Sequence, residues 1–164
     1  MSDGAAAAGL TRPIEEGLAR WLDTCAAADP HALERVPDGQ WSVKQHTFHV
    51  ADGMDATRQR IASMLAEATP DILAFDADEW ALQRRYQERS WEQAVQALRQ
   101  ERDRLLAACA KLTAADLART GRHRRICETI GIDGDTLSIA ELLRFEAAHV
   151  QEHLVSVQAL TGPG

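Results

Sequence analysis

Four amphipathic helices packed as an all-α four-helix bundle are what this chain of 164 residues predicts, and three observations predict it. Three segments open with a Ser followed three residues later by a Gln or Glu, the capping box that satisfies orphan backbone N–H groups at a helix start. Apolar residues recur at three- and four-residue steps in four separate stretches. No stretch alternates between apolar and polar for long enough to make a strand.

Taken in order, the first helix is expected over about 12 to 27. Pro13 can occupy a first helical turn without losing a needed hydrogen bond, and Glu15 and Glu16 suit the positive helix end. Its stripe is Ile14, Leu18, Trp21, Leu22 and Cys25. The second, over about 42 to 67, starts at the box of Ser42 and Gln45. The third, over about 90 to 111, starts at Ser90 and Gln93 and carries Trp91, Val95, Leu98, Leu105, Leu106, Cys109 and Leu112. The fourth, over about 137 to 160, starts at Ser138 and Glu141. Between them lie a turn-rich link over 29 to 39, a stop at Pro70 and Asp71, a short extra helix between 77 and 88 with Trp80, Leu82 and Tyr86, and an irregular segment over 121 to 135. Residues 1 to 10, alanine-rich and without Lys or Arg, are expected to be a frayed tail and neither a signal peptide nor an anchor. Residues 11 to 162 would then form one domain.

With 45% apolar and 26% charged residues the chain can bury roughly two-thirds of its surface in one domain. A formal charge of -7 and a pI near 5.3 argue against nucleic-acid and anionic-membrane partners, which need an excess of Lys and Arg. A small-molecule ligand fits that balance. Cys25, Cys109 and Cys127 are widely spaced and cannot all pair, as expected of reduced thiols in a cytoplasm.

Chemistry centres on the histidines. His149 and His153, four residues apart on one helix, stand about 6 Å apart along its axis and can converge on one ion. On the helical wheel they lie at the edge of the arc through Leu143, Ala147, Val150, Leu154 and Val157, so they look obliquely inward. Two imidazoles make a weak site, and the second helix offers His46 and His49 as the third. His46 sits roughly 60° and His49 roughly 120° from the centre of its apolar arc, so periodicity does not choose between them and leans toward His46. The segment from His149 to His153 also fits the H-x-x-E-H pattern of inverted zinc peptidases. That reading fails because Glu152 points about 100° away from His153 and only eleven residues follow His153, too few to bring a further acidic ligand.

Two motifs then carry a family resemblance. Trp41-Ser42-Val43-Lys44-Gln45-His46-Thr47-Phe48-His49-Val50-Ala51-Asp52 is similar to the opening of the second helix in the DinB-like superfamily. The stretch from Asp135 to Leu143 running into Ala148-His149-Val150-Gln151-Glu152-His153-Leu154 resembles that superfamily's last helix with its H-x-x-x-H pair; the region from Trp80 to Ser90 is a weaker third part. These bundles also resemble the YfiT-type proteins and bacterial thiol S-transferases. The resemblance implies His49 over His46, a metal triad of His49, His149 and His153, an up-down-down-up helix order with the long second link crossing the bundle, and dimerisation through a helix face. His46 is additional to the pattern, as a donor to a ligand ring, an alternative ligand, a substrate contact or a surface residue.

Three His ligands leave a coordination position for water or substrate, the arrangement of catalytic sites. Zn or Ni would suit three imidazoles. Such an ion could activate water for hydrolysis, or bind a low-molecular-weight thiol for transfer to an electrophile. Glu146 is the best carboxylate for orienting a ligand or holding a water. Tyr86, Arg84 and Arg85 in one link, and Arg119, Arg122, Arg124 and Arg125 around His123 in the other, could hold a substrate carboxylate or phosphate. The expected function is thus a metal-dependent hydrolase or thiol S-transferase, with a non-catalytic metal- or ligand-binding dimer as the alternative.

Overall fold

The computed structural model describes residues 5–162. In chain order its elements are α1 (Ala5–Ala27), α2 (Pro30–Glu34), α3 (Val43–Ala66), α4 (Ala77–Gln83), a 3-10 turn (Tyr86–Glu88), α5 (Trp91–Cys109), α6 (Ala114–Leu117), β1 (Thr120–Arg122), α7 (Arg124–Ile130), β2 (Thr136–Ser138) and α8 (Ile139–Thr161). The three anticipated capping boxes are all formed with both reciprocal bonds, at Ser42 with Gln45, Ser90 with Gln93 and Ser138 with Glu141. They start α3, α5 and α8 within about two residues of the expected positions.

These three helices and α1 make the four-helix bundle. α3 packs against both α5 and α8, and α1 lies along α8. Side-chain pairs fix the directions. His46 meets His153, His49 meets His149 and Thr57 meets Glu146, so α3 and α8 are antiparallel. Phe48 near the start of α3 shares a cluster with Ala94 near the start of α5, so those two run parallel. Gly17 and Arg20 of α1 meet Val150 and Gln151 of α8 in the same sense. The order is up, down, down, up. A parallel pair of successive helices requires a connection that returns the length of the bundle, which residues 67 to 90 supply with α4 and the 3-10 turn.

That link is anchored rather than loose. Tyr86 stacks on Phe48 at 5.3 Å between ring centroids, in a small apolar cluster with Ala81 and Ala94. Its hydroxyl donates to Asp52, which also takes Arg84 Nη1 at 2.7 Å. The main core is built from the predicted stripes, with Ile14, Leu18, Trp21, Met54, Ile61, Leu98, Leu105, Val150 and Leu154 all sealed from solvent. The one polar atom of Trp21 is satisfied there, its Nε1 donating to Thr47 Oγ1 at 3.2 Å.

Three expectations are corrected. α1 begins at Ala5, so residues 5–10 of the expected tail are helical; a run of alanines has the highest helix propensity, and Ala7 is buried. Pro13 therefore stands inside the helix, where the Gly9 carbonyl forgoes its usual partner. Residues 1 to 4 lie outside the described residues. The turn-rich link contains a helix, α2, whose N-cap Asp29 accepts from the His31 N–H. The segment over 121 to 135 is ordered: β1 pairs antiparallel with β2, Gly121 facing Leu137, and α7 sits between them. His123 Nδ1 caps α7 by accepting from the Ile126 N–H at 3.2 Å, and Gly131 closes it at φ 73. Gly121 is required, since a Cβ there would lie 2.7 Å from Ile72 Cγ2 and 2.9 Å from Met64 Cγ.

Candidate metal centre

The antiparallel crossing of α3 and α8 brings four imidazoles together. His49 Nε2 lies 2.8 Å from His149 Nε2, and His46 Nδ1 lies 2.8 Å from His153 Nδ1. One potential ligand nitrogen from each of His49, His149 and His153 falls within 4.8 Å of the other two. The three rings meet edge to face at centroid separations of 4.6 to 4.8 Å. Trp41, just before the Ser42 cap, walls the cluster with its ring edge-on to His49 at 4.9 Å and stacked with His153 at 6.4 Å. Phe145 stacks with His149 at 6.0 Å.

Burial sets the protonation of these rings. It pulls His46 down to about 4 and His153 down to about 3, and lowers His49 further, with the neighbouring histidines adding to the shift for His49 and His153. They are therefore neutral near pH 7, as metal ligands must be. Cys25 and Cys109 are pushed up to about 12 by burial and offer no thiolate.

Behind His149 stands Glu146, 0% exposed on the next turn of α8. Its Oε2 accepts from Thr57 Oγ1 at 2.7 Å, and its Oε1 lies 3.5 Å from His149 Nδ1. Both Oε1 and Nδ1 are buried with no other partner. A proton on Nδ1 directed at Glu146 turns the Nε2 lone pair toward His49 Nε2, which can either donate a hydrogen bond to it or, in its other tautomer, present a second lone pair beside it. A divalent cation would satisfy both lone pairs and the third ring. The residues present thus fit a metal ion.

Gly53, one turn after His49, makes this arrangement possible. A Cβ at that position would lie 2.9 Å from His149 Cε1, 3.2 Å from Nδ1 and 3.6 Å from Glu146 Oε1.

The cluster faces a cavity of about 450 Å³ whose lining also includes Arg60, Phe75, His123 and Arg125. Arg60 is 5% exposed, its Nε donating to the Leu73 carbonyl at 2.8 Å and its guanidinium 5.5 Å from the Phe75 ring centre. Desolvation lowers its pKa and the Glu146 carboxylate partly restores it.

Among the site residues expected from sequence, His46 is half-buried and joined to His153, and Glu146 adjoins His149. Tyr86 and Arg84 do not line the cavity; both are engaged by Asp52, and Arg84 lies over the Trp80 ring at 3.8 Å. Of the second arginine set only Arg125 reaches the cavity, whereas Arg119 caps carbonyls of Met64 and Glu67 and Arg122 pairs with Asp71. Sequence reasoning missed Gly53, Thr57, Arg60 and Phe75. Only Gly53 left a signal, an isolated glycine inside a helix pattern.

Fold and site together define a helical-bundle protein with a histidine-rich candidate metal centre at the end of a cavity. The chain belongs to the DinB superfamily, whose model matches residues 14–155. It is 26% identical over 148 residues to "Putative metal-dependent hydrolase OB0413" of Oceanobacillus iheyensis, covering 90% of this chain and 80% of that protein. The fold is that of YfiT from Bacillus subtilis, described as "a probable metal-dependent hydrolase with an unusual four-helix bundle topology". The two superpose with a TM-score of 0.77 at 21% identity, over 93% of this chain and 83% of the other. Among the described residues, no helix is long and apolar enough to cross a membrane.

Proposed function

We propose that this protein is a metal-dependent hydrolase of small molecules, with one divalent ion, Zn or Ni, held by His49, His149 and His153. The observation that carries this reading is the convergence of three imidazole nitrogens within 4.8 Å beside a cavity of about 450 Å³. The name of the Oceanobacillus iheyensis relative supports the same class.

Bound there, a divalent ion supplies Lewis acidity, polarising an oxygen under attack and bringing a water proton within reach near neutral pH. The chain's own residues do the rest. Glu146, held by Thr57, orients His149 through its Nδ1 proton; His46 does the same for His153 through the Nδ1 pair; Trp41 and Phe145 keep the rings in place and shield them from bulk water. Glu146 is thereby a positioning residue, since both its oxygens face protein partners. Three buried free thiols suit a reducing compartment, the cytoplasm.

The test is metal content by mass spectrometry on untagged protein beside His149→Ala, with ester and amide panels run on the loaded form. About one ion per chain, lost in a variant that keeps its helical circular dichroism, together with metal-dependent hydrolysis, is the expected result. No retained ion after deliberate reloading would overturn the metal reading. Turnover only with a low-molecular-weight thiol as acceptor would move the reaction class to S-transfer while leaving the ligands in place.

A further inference from the structure

Arg60 is a charge set into the protein with most of its donors unused. A guanidinium carries five N–H donors. Among the described residues Arg60 makes one hydrogen bond, from Nε to the Leu73 carbonyl, and no ion pair within 4.0 Å. It is nonetheless 95% buried, by the complement of its 5% exposure, and lines the cavity that the histidines face. The buried carboxylate at the cavity, Glu146, favours the charge on Arg60 but makes no ion pair with it within 4.0 Å, its oxygens being turned to the Thr57 hydroxyl and His149.

Burying a cation costs several kcal/mol unless hydrogen-bonded anionic groups compensate it. Here the Leu73 carbonyl and the Phe75 face fix the side chain, so the loss of rotamer freedom on binding has been met in advance. The other charges at the cavity are Glu146, buried and turned to Thr57 and His149, and Arg125, Asp78 and Glu152, which are exposed and screened by water. Arg60 is thus the buried cation of the cavity, with donors no protein group takes, and the apolar walls of Phe75, Phe145 and Ile126 suit a hydrocarbon or aromatic body.

We propose that Arg60 is the anion-binding, specificity-determining residue of the cavity, and that the substrate is a small molecule with an apolar body and a carboxylate or phosphate group held by this guanidinium. The inference rests on the preceding reading of the cavity as the substrate site. It concerns the recognition end of the molecule, and not the ligation of the ion.

Three probes of similar body test it by calorimetry: phenylacetate, phenyl phosphate and the neutral phenylacetamide. Chelator-treated full-length protein is used, so that no oxyanion can bind through an ion. One anion binding about tenfold or more tighter than the amide is expected, as a charge-assisted hydrogen bond in a shielded site delivers; which anion does so assigns carboxylate or phosphate. In Arg60→Gln that preference disappears while amide binding and metal content stay at wild-type levels. Arg60→Lys, which keeps the charge without the planar fork, keeps only part of it. Equal binding of the three probes by the wild type, or no binding of any, overturns the proposal without recourse to a variant; so does a preference that survives in Arg60→Gln. Loss of the metal reading alone would appear as absent metal with the anion preference intact.

Discussion

Oε1 of Glu146 lies 3.5 Å from Nδ1 of His149, and among the described residues neither buried atom has a hydrogen-bond partner elsewhere. The pair makes sense if Nδ1 carries the proton and the carboxylate draws it, which raises the basicity of Nε2 and fixes the ring. Glu146→Gln keeps the shape and the Thr57 contact but removes the charge. Metal affinity is expected to fall by about 10- to 100-fold with stoichiometry unchanged, the usual effect of losing such a partner. Competition against a chelator of known affinity measures this, and an unchanged affinity would remove Glu146 from the site.

Gly53 tests the same geometry from the opposite helix. Ala is favoured over Gly in a helix interior by about 1 kcal/mol. Its Cβ, however, would lie 2.9 Å from His149 Cε1, so the ring must move. Gly53→Ala should therefore leave thermal stability of the metal-free protein within a few degrees of wild type while weakening metal binding by an order of magnitude or more. Melting and metal titration on the same sample separate the two effects, and a variant that binds metal normally would show that the close approach is unimportant.

Much of this architecture was legible in the sequence because its signals are local. Ser42, Ser90 and Ser138 each announce a helix start through a side chain three residues away, and the stripe from Ile14 to Cys25 is set by helical period alone. The triad came from the motif around His49, not from the wheel, which leaned toward His46; side chains near a bundle end are aimed by helix crossing, and periodicity does not encode that. α7 and the strands at Thr120 and Thr136 stayed hidden because three-residue strands show no alternation and the α7 cap is a His, outside the usual capping set. Arg60 had no signal whatever. Its neighbours Leu73 and Phe75 come from a link whose path depends on tertiary packing.

His46 and the three ligands should separate cleanly. His49→Ala, His149→Ala and His153→Ala each remove a proposed ligand, and metal content is expected to fall close to zero. His46→Ala removes only the 2.8 Å partner of His153 Nδ1, so one ion per chain should remain, bound about tenfold more weakly. Total loss in His46→Ala would promote it to a ligand.

Tyr86 and Arg84 are expected to act on stability rather than on the site. Tyr86→Phe leaves the stacking on Phe48 but strips Asp52 of a donor, with Arg84 remaining. Burial already raises the Asp52 pKa, and the lost bond should cost about 1 to 3 kcal/mol. Denaturant unfolding should report that loss with metal affinity unaltered. A weakened affinity for the anionic probes in Tyr86→Phe would instead return Tyr86 to the substrate site.

Acid should unfold the metal-free protein through its histidines. His49, His46 and His153 titrate near 6.5 when unfolded, and burial lowers all three in the fold. Well above pH 6.5 the rings are neutral in both states and contribute no pH dependence. As pH falls below that value the unfolded chain takes up protons that the folded chain does not, so stability declines with falling pH. For His49 alone the linkage reaches about 2 kcal/mol between pH 6.5 and 5, while the raised pKa of Asp52 acts in the opposite sense nearer its own range. Melting temperatures of chelator-treated protein from pH 7.5 to 5 should therefore drop with falling pH. His46→Phe, which keeps a ring beside Trp41 but no titrating nitrogen, should flatten that slope. A wild-type melting temperature constant over this range would mean that the imidazole cluster admits protons in the folded state.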